Sequence, residues 1–82
     1  MLDGKILKRA LEMSQDETRQ QFIAFELSIE YKIDKGINLD QNEEKFLILK
    51  NDLATKLGIT TDLHAKLRYE LRDNWQFVLK RD

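Results

Sequence analysis

His64 is the sole histidine of this chain, Ser14 and Ser28 are the sole serines, and there is no cysteine. These are the residue types that nucleophilic and general acid–base catalysis draw on. A serine triad would have to be assembled around His64, and neither serine has the flanking glycines of a nucleophile elbow. Without cysteine there is no thiolate nucleophile, no disulfide staple and no cysteine zinc site. Metal binding would rest on carboxylates and one imidazole, with no Glu-x-x-His pair to seed it. Glycines at 4, 36 and 58 are too sparse for a phosphate-cradling loop. The expectation is a protein that is not an enzyme and takes no cofactor or metal, with His64 on a helix surface.

Charged spacing carries more. Glu26, Glu30 and Asp34 recur every four residues, an acidic strip along one helix face. Like charges at that spacing cost a few tenths of a kcal/mol per pair, so a merely solvated face is tolerable. The sharper reading is a docking strip for a basic partner. His64, Arg68 and Arg72 form the complementary strip at the same spacing, able to pair with the first within one chain or across a dimer. Beside them stands Trp75, and arginine with tryptophan is the composition of interface hot spots. The expected protein-binding residues are therefore Glu26, Glu30, Tyr31, Arg68, Arg72 and Trp75, with core burial as the competing role for Trp75. Trp75 and Phe77 lie about 200° apart on a helix, so one face cannot bury both. An amphipathic N-terminal segment carrying Leu2, Ile6, Ala10 and Met13 would supply the second cover. Otherwise an exposed aromatic near the C-terminus marks a contact site.

The elements that position these residues follow from punctuation. The chain has 82 residues, three glycines and no proline, against about six glycines and about four prolines for average usage. So few breakers, with 35% charged and 41% hydrophobic residues, argue for one small all-α domain. Gly36 and Gly58 are each followed by isoleucine, the grammar of a helix stop closed by a left-handed glycine. Ile37 is then expected to fold back on Tyr31 or Lys32, and Ile59 on Leu53 or Ala54. Ser14 with Glu17, and Asp40 with Glu43, have capping-box spacing, and Thr60 or Thr61 can cap the last helix. The spacing predicts four helices over 4–13, 15–35, 41–57 and 61–79, one short and three longer, joined by short connections and packed antiparallel.

Apolar periodicity agrees. Phe46, Leu49, Leu53 and Leu57 form one stripe, and Leu63, Leu67, Leu71, Trp75 and Val78 another. The 15–35 segment has two stripes, Phe22, Phe25, Ile29, Ile33 and Ile23, Leu27, Tyr31, which suits a central helix or one that shares a face with a partner. A short chain buries a smaller fraction of its surface, which makes association, including a homodimer, a reasonable expectation. Residues 1–35 carry six basic and seven acidic groups and residues 36–82 eight of each, so no global field draws in nucleic acid. Apolar runs are too short for membrane insertion, no signal peptide is visible at the N-terminus, and the expected location is the cytoplasm.

Residues 51–67 resemble the helix-turn-helix segment of bacterial DNA-binding regulators. Ala54, Leu57, Gly58, Ile59 and Thr60 match that family's alanine and leucine-glycine-aliphatic-Ser/Thr turn, and the resemblance covers 17 of 82 residues. It implies that the last helix reads DNA, with Thr60, Thr61, His64, Lys66 and Arg68 near the duplex. The leading expectation is a small regulatory or accessory protein that binds another protein through helical faces. A DNA-binding regulator is the alternative.

Overall fold

A computed structural model describes the backbone of residues 4–80 and the side chains of residues 16–80. It is all-α: α1 spans Gly4–Lys35, α2 Gln41–Lys56, α3 Thr61–Leu71 and α4 Trp75–Leu79. The described residues form four helices, the expected number but divided differently: the expected 4–13 and 15–35 are one helix and the expected 61–79 is two.

The first difference is at Ser14, where no break occurs and α1 runs through as one helix. A capping-box spacing permits a helix start without compelling one. Around Ser14 stand leucine, glutamate, methionine and glutamine, all good helix formers, with no glycine or proline to end the turn. The expected cover of the C-terminal aromatics by Leu2, Ile6, Ala10 and Met13 lies outside the described side chains.

The second difference is at Arg72–Asn74, where the expected 61–79 helix breaks in two. Along α1 the partners of α3 rise with it, His64 at Glu26 and Arg68 at Glu26 and Glu30. A continuous helix would carry Trp75, Val78 and Leu79 past Lys35, off the end of α1. The turn brings them back instead. Trp75 packs at a tilt against Tyr31, and the Val78 carbonyl accepts from Gln21 Nε2 at 2.6 Å. Asp73 and Asn74 suit the turn because short polar side chains compete with helical hydrogen bonds. Asn74 Nδ2 donates to the Glu70 carbonyl at 3.4 Å.

The stops and starts around α2 form as the sequence predicts. Gly36 has φ 71° and Gly58 φ 72°. The amides of Ile37 and Ile59 donate to the carbonyls of Lys32 and Ala54 at 2.8 and 2.9 Å, closing each helix end in a Schellman motif. Asp40 and Glu43 make both halves of a capping box, and Thr60 Oγ1 accepts from the Leu63 amide. Arg19 Nε reaches across from α1 to the Leu57 carbonyl at 2.8 Å, satisfying an orphan acceptor at the end of α2. Gly58→Ala is therefore expected to cost about 1–2 kcal/mol from left-handed backbone strain, lowering Tm by several degrees in a calorimetric scan.

α1 is the central helix. Its Phe22 and Phe25 rings pack on Phe46 of α2, with centroids 5.0 and 4.9 Å apart. Lys32 pairs with Glu43 and Arg19 with Leu57, so numbering rises along α2 as it falls along α1. On its other side Ile23 and Ala24 join Leu67, Leu71 and Val78 in the core. Leu49, expected on the buried stripe of α2, is exposed. That face is rotated toward Glu43 and Ala54, which leaves Leu49 about 60° off the Phe46 direction.

Candidate functional site

Four-residue spacing places His64 and Arg68 on one side of α3, and Glu26 and Glu30 on the facing side of α1. The two strips close on each other within the chain. Glu26 is only 4% exposed. Its carboxylate accepts from His64 Nε2 at 2.9 and 3.2 Å and from Arg68 Nη1 at 2.5 Å. Arg68 also forks onto Glu30, Nη1 to Oε2 at 2.6 Å and Nη2 to Oε1 at 2.8 Å. One guanidinium thus clips two carboxylates a helical turn apart, the bidentate geometry that arginine suits and lysine does not.

The electrostatics follow. The hydrogen bond from Arg68 holds the Glu30 carboxyl below its ordinary 4.5; burial opposes this, and the charges of Arg68, Lys50 and His64 add to it. Arg68 in turn is held above its ordinary range, chiefly by the hydrogen bond to Glu30. A carboxyl depressed by folding contributes stability that is present above its unfolded value and lost as pH falls through the folded one. Unfolding in urea is therefore expected to become easier as pH drops below about 4.5. Glu30→Gln should flatten that dependence. Glu30 is half exposed, so the contribution is under about 1 kcal/mol.

The other expected contact residues divide. Asp34 is exposed at the end of α1, beyond reach of the seam that Glu26 and Glu30 form with α3. Arg72 lies in the turn after α3, beside Asp73 at 3.5 Å and over the Tyr69 ring at 4.5 Å. Tyr31 and Trp75 form a ring pair with centroids 5.7 Å apart, and the Lys35 ammonium sits 5.8 Å from the Tyr31 ring. Trp75 is half-buried, whereas Phe77, pointing the opposite way, is 68% exposed. Of the residues named for DNA, Thr60, Thr61 and Lys66 are exposed, while His64 and Arg68 are taken up by Glu26 and Glu30.

Two concavities flank α1. One, about 310 Å³, is bounded by Glu26, Lys50, Asn51, Thr55, Thr61 and His64. Its chemistry is limited, because His64 and Arg68 already occupy the carboxylate that would serve as a base. The other, about 390 Å³, is almost wholly apolar and runs between Phe22, Phe25, Phe46, Leu53, Leu57 and Leu79. No three His, Asp or Glu side chains among the described residues are placed to hold a metal, and no helix there is long and apolar enough to cross a membrane.

Sequence reasoning gave Glu43 a capping role but not a buried ion pair. It caps α2 and also pairs with Lys32 Nζ at 2.7 Å while 3% exposed. Its capping role was legible; its burial required knowing which face of α2 meets α1. Arg19 was missed for the same reason. No protein-family profile matches this chain, and neither a curated protein nor a solved structure matches it.

Proposed function

We propose that this is a non-catalytic, cytoplasmic regulatory or accessory protein, a single domain that works by binding another protein through its helical faces. The observation that supports this best is a division of labour on the surface. The charged seam is closed within the chain, while several large apolar side chains stay exposed among the surface charges. Phe77 on α4 stands in solvent, as does Tyr69 on α3 with the Arg72 guanidinium across its ring. The Tyr31–Trp75 pair borders the same C-terminal region. Aromatic side chains with arginine beside them are what protein interfaces use as anchors.

The test is affinity capture from cells of the source organism, comparing the parent chain with Phe77→Ser and Tyr69→Ser. The reading expects one protein retained by the parent and lost from both variants while their circular dichroism stays unchanged. Equal capture by all three chains overturns it.

A DNA-binding role draws on one specific observation. α2 and α3 are joined at Gly58 by a tight turn, with Thr61 and Lys66 exposed on α3. Phosphate contacts normally supply the affinity for DNA, and here the net charge is −1 and Arg68 is engaged elsewhere. Duplex titrated at low salt decides between the readings: binding weakened by Lys66→Ala favours DNA, and no binding removes it.

A further inference from the structure

The apolar groove between α1, α2 and α4 is held open by the fold. Arg19 Nε fastens the end of α2 to α1 at the Leu57 carbonyl, and Gln21 Nε2 fastens α4 at the Val78 carbonyl. Both walls are thus tied to α1 within one helical turn. Further along, the Phe46 ring wedges against Phe22 and Phe25 and keeps α2 at a distance from α1. Neither wall can close on the other without breaking one of these contacts. What lies between is a space of about 390 Å³. Protein interiors are packed as densely as organic crystals, and apolar surface left uncovered forfeits transfer energy. Here Phe25, Phe46, Leu53, Leu57 and Leu79 border the space, and each is only partly buried.

Polarity is confined to one end of the groove. Thr18, Gln21 and Lys56 stand where α2 finishes, and Phe25 with Phe46 stands at the far end. Lys56 is the one charged side chain among the described residues that line it. It is exposed and pairs with no carboxylate among the described residues, although Asp52 stands one turn before it. From Thr18 to Phe25 the groove follows α1 for about 10 Å. A volume of about 390 Å³ is in the range of pockets that enclose a small molecule. A groove that runs along two neighbouring helices suits a linear chain better than a disc.

We infer that this groove binds a free medium-chain alkyl carboxylate, with its chain along α1 toward Phe25 and its carboxylate at Lys56. Burial of the chain against the phenylalanine and leucine side chains supplies the affinity. The Lys56 ammonium sets the direction of the chain and the preference for an anion. The inference goes beyond the protein-binding reading and uses none of the residues on which that reading rests.

Isothermal titration calorimetry on the full chain tests it, with each amphiphile kept below its micelle concentration. From hexanoate through decanoate, affinity is expected to rise about fourfold per added methylene, then to level off once the chain outgrows the groove. Decyltrimethylammonium should bind at least about threefold more weakly than decanoate. Lys56→Glu, an exposed change that leaves the fold intact, should weaken decanoate by at least about threefold and remove its advantage over the cation. Leu53→Trp should fill the groove and abolish decanoate binding while circular dichroism stays unchanged. If that variant fails to fold, the Lys56→Glu comparison still decides. No heat from decanoate, equal affinity of the parent chain for anion and cation, or decanoate binding that Lys56→Glu leaves unchanged overturns the inference. Anionic lipid vesicles that retain the chain while decanoate does not bind hand the groove to a membrane. A dimer in light scattering that Leu53→Trp dissociates, again without decanoate binding, hands it to a second copy. Either result overturns the inference as well.

Discussion

Arg68→Met is expected to destabilise the fold by about 3 kcal/mol, seen as a lowered urea midpoint with an unchanged slope. The size comes from what is left behind rather than from what is removed. Glu26 would remain 4% exposed with only His64 to answer its charge, and Glu30 would lose both prongs of the fork. Removing one partner of a buried pair costs far more than removing both, because the survivor keeps its desolvation penalty. The double variant Glu26→Gln/Arg68→Met should therefore recover part of the loss, with the two single effects summing to more than the double. A loss below about 1 kcal/mol for Arg68→Met would show that solvent screens the seam as it does surface ion pairs.

Ile23→Ala should cost about as much by an unrelated route. Ile23 is fully buried on α1, and it belongs to the cluster that gathers Leu67, Leu71 and Val78. Truncation loses the transfer energy of the removed carbons and leaves a cavity that rigid helices fill poorly, about 3 kcal/mol in all. For a domain of this length total stability is of the order of 4–12 kcal/mol, so one substitution consumes a large share and lowers Tm by roughly 15 °C. Ile23→Val should cost about 1 kcal/mol. Ile33→Ala, on the same helix but more than half exposed, should stay within about 0.5 kcal/mol of the parent. Equal losses for Ile23→Ala and Ile33→Ala would contradict the assignment of the core.

What the sequence disclosed and what it withheld divide along a physical line. Gly36, Gly58, Asp40 with Glu43, and Thr60 act within one helical turn, so their roles could be read from neighbours alone. The matched four-residue strips of Glu26–Glu30 and His64–Arg68 could also be seen, because helix period is fixed. Which members would meet was not visible. Arg72 falls in a turn and Asp34 at a helix end for reasons of length, since α1 stops at Lys35 and the chain must return. The same missing length hid the break before Trp75, which satisfies the tertiary demand that Trp75 and Val78 come back to α1. Ser14 shows the converse: a local start signal was present, but nothing nearby stopped the preceding turn.

The length of α1 also governs how the molecule moves through water. Its extents are 47 × 28 × 24 Å and its radius of gyration is 14.3 Å, where a compact chain of this size would have about 12 Å. A rod-like particle drags more than a sphere of equal mass, so it elutes early from a sizing column and tumbles slowly about its short axes. Elution volume alone would assign this chain too large a mass even as a monomer. NMR relaxation would separate amides whose bonds lie along α1 from those that lie across it.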